Sequence, residues 1–249
     1  MTKLWQTFNK ISKRKKGKKP DITQLVDEEG KKINDPKEIA NTLNLHFNQI
    51  GEKMANKIKE GRNYDPLKCI LKSPTQSLFL SPTVVEEVLK IIKKIDVNKA
   101  CGPDKITGYL IKITKDVISP ILTDLLNICF RTGVFPNCLK TAEIIPLYKE
   151  GKKEKATNYR PISLLPQIGK IFEKVIASRM TKFFDKHQLL VQNQYGFRKK
   201  LSTELAVTEV YNKLLRNFEE KKHTCAVFLD LKKAFDSVSH EILIKKFER

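Results

Sequence analysis

The sharpest chemical feature of this sequence is Asp230, which closes the run Cys225-Ala226-Val227-Phe228-Leu229. Five successive apolar residues without alternation predict a strand buried on both faces. A carboxylate ending such a strand sits at a sheet edge beside a core, where an unpaired charge is costly unless a metal or another cation joins it. Asp230 could bind a divalent cation through hard oxygen, as in two-metal phosphoryl transfer, or it could simply cap the turn Leu231–Ala234. From this segment alone the cap is the plainer reading. Asp236, across that turn, reads as a structural cap before a helix at Ser239 rather than as a second ligand. Lys149 and Arg160 lie either side of a lysine-rich stretch. On their own they read as exposed charges on a hairpin. The four histidines, His46, His187, His223 and His240, share no metal-ligand spacing and read as structural.

The elements that must position these residues belong to a cationic folded chain. In 249 residues, 48 Lys and Arg oppose 28 Asp and Glu, a net charge of +20, and 40% of residues are hydrophobic. That apolar share builds a core and excludes a wholly disordered basic tail. The length fits one large domain or two smaller ones. The charge favours a polyanionic partner such as nucleic acid. No run approaches the ~18 apolar residues of a membrane span, and Met1–Lys19 has no signal-peptide core. Five cysteines, an odd number with no C-x-x-C, argue against a disulfide framework or zinc ribbon. An intracellular setting follows, with nucleus and cytoplasm both open.

Along the chain, Trp5, Phe8 and Ile11 have near-helical spacing, and Lys13–Lys19 supplies six basic residues. That run reads as a solvated linker, or more sharply as a phosphate-binding arm or nuclear-localisation patch. Ile22–Val26, an acidic turn to Gly30, and Ile33 form a small hairpin. Asp35-Pro36 with Glu38 is a capping box, followed by one apolar stripe: Ile39, Leu43, Phe47, Ile50, Met54 and Ile58. Gly61 ends it, and residues 62–80 are a connector. Ser81-Pro82 starts a second helix with Val85, Val88, Leu89, Ile92 and Ile95 inward. After the turn Asn98–Asp104, two helical stretches are split at Pro120, with Ile121, Leu125, Ile128 and Cys129 sharing a face, and Gly133 closes the second. Glu143–Lys149 and Tyr159–Leu165 are β-like runs. Each has an internal proline, which confines it to an edge or a bulge, and the charged loop between them makes a protruding hairpin. A helix follows Pro166, and Ser202 or Thr203 caps another that runs to about Lys221.

Taken together, these blocks resemble the reverse transcriptases of non-LTR, jockey-like retrotransposons. Phe228-Leu229-Asp230-Leu231-Lys232-Lys233-Ala234-Phe235-Asp236 resembles the family's first catalytic palm motif. Upstream and in order, Asn98–Asp104 with Gly102-Pro103-Asp104 resembles its N-terminal extension. Ile144–Lys149, Asn158–Leu165 and Lys170–Arg179 resemble its fingers, and Gln194–Arg198 with Ser202-Thr203 the block after them. Asn41–Ile50 resembles the segment that joins endonuclease to polymerase. The likeness covers nearly the whole chain.

The resemblance implies an RNA-directed DNA polymerase acting on an RNA template, a DNA primer and deoxynucleoside triphosphates, with Mg2+ or Mn2+ expected only in the complete polymerase. Asp230 would be the first metal-binding carboxylate. Phe235 would close the nucleotide sugar pocket, with core packing as its plain alternative. Lys149 and Arg160 would hold the triphosphate, and Arg198, Lys199 and Lys200 would face nucleic acid. The expected fold is α+β: a basic, helical extension over residues 1–75, then a partial reverse-transcriptase domain over 76–249, with a fingers hairpin and an incomplete palm. Two departures stand out. Asn137-Cys138 replaces the family's tryptophan before Lys140, and the motifs expected after the first palm block do not occur in these 249 residues. Two-metal chemistry needs several converging oxygens, so the isolated chain is expected to be inactive. The competing expectation is a cationic, non-catalytic nucleic-acid-binding remnant.

Overall fold

The computed structural model describes residues 22–27, 30–59, 77–231 and 233–248. The basic run Lys13–Lys19, Gly61, the connector up to residue 76 and the side chains of Met54 and Ile58 lie outside the described residues.

A small hairpin opens the described chain. β1 (Leu25–Val26) pairs antiparallel with β2 (Lys32–Ile33), and Gly30 turns the chain at φ +87°, a conformation glycine adopts without strain. The capping signal before the first helix holds: the Asp35 carboxylate accepts the Glu38 N–H at 2.9 Å. Helix α1 spans Pro36–Lys59 and buries Ile39, Leu43 and Ile50 along the expected stripe. Leu25, Ile33, Ile39 and Leu43 close into a small core whose fifth buried member, Tyr159, comes from far downstream. The extension and the second β region thus share one apolar cluster.

The larger core is helical. It is built by α2 (Val85–Lys93), α3 (Gly108–Ile113), α4 (Lys115–Thr132) and α5 (Gln167–Lys186). Val88, Ile92, Leu126, Phe172 and Val175 are at 0% exposure at its centre, and Phe135 meets Phe172 edge-on at 6.2 Å. Three expectations about these helices need correction. The first is the helix start at Ser81-Pro82: the helix begins at Val85, because the three residues before Val84 are held by tertiary partners. The carbonyls of Ser81 and Pro82 accept from Arg179, and the backbone of Thr83 pairs with the Asn127 amide. The second is the break at Pro120. The chain bends at Thr114 instead, and Pro120 lies inside α4. Pro120 removes one donor, to the Asp116 carbonyl, and both residues are exposed, so water can replace the lost bond. The third is the buried face of α4, which is Ser119, Leu122, Leu126 and Cys129, while Ile121, Leu125 and Ile128 are exposed. The apolar surface of α4 is wider than one stripe, and packing against α2 and α5 selects its other flank. Gly133 ends the helix as expected, at φ +69° with its N–H on the Cys129 carbonyl.

The second hairpin forms over nearly the expected runs. β3 (Glu143–Tyr148) pairs antiparallel with β4 (Tyr159–Leu164), with Pro146 directly opposite Pro161. The Lys149 N–H donates to the Asn158 carbonyl at 2.8 Å. Hydrogen-bonded and non-bonded pairs alternate from there, so the two prolines fall at a non-bonded pair and cost the ladder nothing.

Beyond α5, helices α6 (Thr203–Glu219) and α7 (His240–Phe247) bury no residue. Ser202 caps α6 through the Leu205 N–H, as expected. Ser239, rather than Asp236, caps α7 by accepting the Ile242 N–H. The buried strand expected at Cys225–Leu229 is not formed: the segment is irregular, and Phe228 and Leu229 are each 89% exposed. A strand needs a partner for its backbone groups, and none of the described strands pairs with it. The fold is therefore mixed helix with two small antiparallel hairpins.

Candidate nucleotide and nucleic-acid site

Register decides what the second hairpin presents. Directly paired residues point to the same face, and alternation along each strand reverses it. Tyr148 pairs with Tyr159, the rings meet edge-on at 5.8 Å, and both pack on the small core. Arg160, paired with Leu147, therefore points to the other face, as does Lys149 one step beyond Tyr148. Both cations are exposed there. Lys149 donates to Glu150 at 2.7 Å. That hydrogen bond and the charge behind it hold the Glu150 carboxyl below its ordinary range, with Arg160 adding to the pull.

The loop joining the strands is tied down by its own side chains. Tyr148 Oη donates to the Gly151 carbonyl at 2.5 Å, Asn158 Nδ2 to Lys152 at 2.8 Å, and Tyr159 Oη to Lys153 at 2.7 Å. The Lys153 ammonium lies 5.7 Å from the Tyr148 ring centre. Lys149, Lys152, Lys153 and Lys155 thus form an exposed cationic loop on an ordered frame. Burial raises the Tyr159 hydroxyl above its ordinary pKa, and the neighbouring Tyr148 adds to this.

The other candidates lie further along the chain. Arg198 donates to the Val191 carbonyl at 3.1 Å, while Lys199 and Lys200 are exposed. Phe197, beside Arg198, meets Phe235 edge-on at 6.0 Å, so the Gln194–Lys200 turn and the turn after Asp230 are neighbours. Phe235 is 80% exposed. Asp230 and Asp236 are both exposed. Among the described residues no three His, Cys, Asp or Glu side chains converge as metal ligands. Of the carboxylates in that turn region, Asp230 is the one the sequence nominates for a metal.

Two arrangements were not legible in the sequence. One is the contact of the first hairpin with the cationic loop, where Val26 N–H donates to the Glu154 carbonyl at 2.8 Å and Val26 bridges to Lys155 in parallel sense. The other is Arg179, which reads as one cation on a helix and instead joins α2, α4 and α5. No local signal marks either. Among the described residues no helix is long and apolar enough to cross a membrane.

Residues 150–249 match the reverse transcriptase (RNA-dependent DNA polymerase) family model. Over 215 residues the chain is 34% identical to the "RNA-directed DNA polymerase from mobile element jockey" of Drosophila melanogaster, covering 84% of this chain and 22% of that protein. It is also 34% identical over 181 residues to the "Probable RNA-directed DNA polymerase from transposon BS" of the same organism, covering 72% of this chain and 20% of that protein. The jockey polymerase of Drosophila funebris is 34% identical over 178 residues, 71% of this chain and 19% of its own length. The chain spans about a fifth of the length of these curated relatives. Matched by the family model over its C-terminal part and by these relatives over most of its length, the chain belongs to the reverse transcriptases of jockey-like non-LTR retrotransposons.

Proposed function

We propose that this chain is the part of an RNA-directed DNA polymerase that receives the incoming nucleotide and the template strand, and that it contributes one carboxylate, Asp230, to a divalent-metal site whose other ligands it does not contain. Supporting this reading is the hairpin register, which turns Lys149 and Arg160 out on one face while Tyr148 and Tyr159 anchor the other. An exposed guanidinium and an ammonium on one face suit a triphosphate, the first by bidentate bonding and the second as a point charge. Phe235 borders the sugar of that nucleotide, and Arg198, Lys199 and Lys200 line the path of nucleic acid. RNA template, DNA primer and deoxynucleoside triphosphates are the partners. The 249-residue polypeptide by itself performs no templated synthesis, because one carboxylate cannot assemble a two-metal centre. Primer extension with the purified chain and Mg2+ or Mn2+ tests this: no product is expected, and templated extension abolished by Asp230→Ala would overturn it.

A second reading, a cationic module that binds nucleic acid without chemistry, is favoured by the exposed Asp230 and the net charge of +20. It predicts binding that falls steeply with salt, since released counterions supply most of the free energy. Triphosphate binding separates the two. If dTTP binds and Arg160→Ala weakens it, the polymerase reading stands; if nucleic acid binds and dTTP does not, the second does.

A further inference from the structure

We propose that the segment Ile22–Phe47, upstream of the residues matched by the family model, is a positioning element for the cationic hairpin: it decides which face of β3 and β4 carries Lys149 and Arg160. The proposal rests on the nucleotide reading above and adds to it the device that aims those two side chains.

An isolated two-stranded hairpin is marginal in water, and one with both faces polar slips register easily. A slip of one residue would flip one strand against the other, bring Arg160 opposite Tyr148, and part Arg160 from Lys149. The face that prevents this is made by the upstream segment. Tyr159 is 6% exposed in a cluster with Leu25, Ile33, Ile39 and Leu43, with Tyr148 and Phe47 packed on its edge. Burying the tyrosine pair on that side forces the next residue of each strand, Lys149 and Arg160, to the opposite one.

The loop is held from the same direction. The Val26 N–H reaches the Glu154 carbonyl at 2.8 Å, so β1 is bridged to the lysine-rich turn at Lys155, and Tyr159 Oη fixes the Lys153 carbonyl from within. Helix α1 then continues past this cluster: a Cβ placed on Gly51 would lie 3.4 Å from the Asp236 carbonyl oxygen. One helix therefore touches the turn beside Phe235 and packs on the hairpin that carries Arg160.

The test is equilibrium binding of dTTP with Mg2+ to the 249-residue chain and four variants. Arg160→Ala reports the nucleotide contact itself. Val26→Pro deletes the one N–H that reaches Glu154, and Tyr159→Phe deletes one hydroxyl at nearly constant volume, so both spare the core. Val175→Ala opens a cavity of comparable cost in the separate helical core and controls for loss of stability. Val26→Pro and Tyr159→Phe are each expected to weaken dTTP roughly tenfold, approaching Arg160→Ala, while Val175→Ala binds as the parent does at a temperature where all are folded. If Arg160→Ala weakens dTTP but Val26→Pro and Tyr159→Phe do not, the positioning role is overturned and the nucleotide reading survives. If Arg160→Ala has no effect, both fall. Amide exchange over residues 149–158 supplies the structural readout: faster exchange in Val26→Pro supports the clamp, and parent-like protection refutes it.

Discussion

Arg179 of α5 donates to Glu87 of α2 at 3.0 Å, and its guanidinium lies 4.9 Å from the Phe130 ring centre on α4. The same side chain bonds the carbonyls of Ser81 and Pro82, so one fork joins three helices and the strap that precedes them. Its side chain is only 12% exposed and that of Glu87 28%, so solvent screening is weak. Burial pushes the Glu87 carboxyl upward, but hydrogen bonds from Thr83 and Arg179 and the Arg179 charge outweigh it, leaving the pKa below the ordinary 4.5.

Arg179→Met keeps the stem and removes the fork. It is expected to cost about 2–3 kcal/mol at neutral pH, the range for breaking a charged, partly buried hydrogen-bonded pair. The sign with pH follows from the lowered value. The contribution is complete above the unfolded carboxyl pKa and is lost as pH falls through the folded one. Urea unfolding at about pH 7 and about pH 3 should therefore show the gap between parent and variant shrinking in acid. A gap independent of pH would exclude Glu87 as the energetic partner.

Gly102 marks a close approach of backbones. A Cβ there would lie 2.5 Å from Pro166 N and 2.7 Å from the Leu165 carbonyl carbon, atoms that cannot swing aside. Gly102→Ala should cost about 3 kcal/mol as an overpacking change and loosen the bond from Gln167 to the Ala100 carbonyl, 3.0 Å long in the parent. Gly133→Ala is the control. It has open space around it but φ +69°, so about 1 kcal/mol of left-handed strain is expected. Denaturant midpoints that rank the two in the opposite order would refute the close-approach account.

What the sequence disclosed, and what it hid, divides by range. Asp35, Gly133 and Ser202 act on backbone groups within one turn, and each performs as its residue type predicts. Ser81-Pro82 looks like the same signal, yet Arg179 and Asn127, distant in sequence, claim the backbone it would have organised. The run at Cys225–Leu229 reads as a buried strand because composition records what a segment is fit for, whereas burial depends on neighbours. The site divides in the same way. Lys149, Arg160 and Phe235 could be nominated from spacing and resemblance. Which face the first two occupy depends on Tyr159 meeting Leu25 and Leu43 across more than a hundred residues, and no local pattern carries that.

Asp230→Ala separates chemistry from structure. The side chain is exposed, so thermal stability should change by no more than about 0.5 kcal/mol, and salt-dependent binding of RNA should be unchanged or slightly stronger, since one negative charge is lost. In a polymerase that contains this segment together with its remaining motifs, the same substitution should abolish nucleotide addition. A large drop in stability of the 249-residue chain would instead assign Asp230 a structural role.

The exposed run Val227, Phe228, Leu229 and Leu231, 73–89% accessible, sets two forces against each other. An unpaired apolar segment is a template for pairing with another chain, while a net charge of +20 keeps copies apart. Salt screens the repulsion and leaves the apolar attraction, since the Debye length falls from ~10 Å at 0.1 M to ~3 Å at 1 M. Self-association should therefore rise with ionic strength, opposite to nucleic-acid binding, which salt weakens. Sedimentation velocity across a salt series should show growing oligomers in the parent. Phe228→Lys, which adds charge and removes the largest exposed ring of the run, should stay monomeric to higher salt. Equal behaviour of parent and variant would mean that another surface drives association.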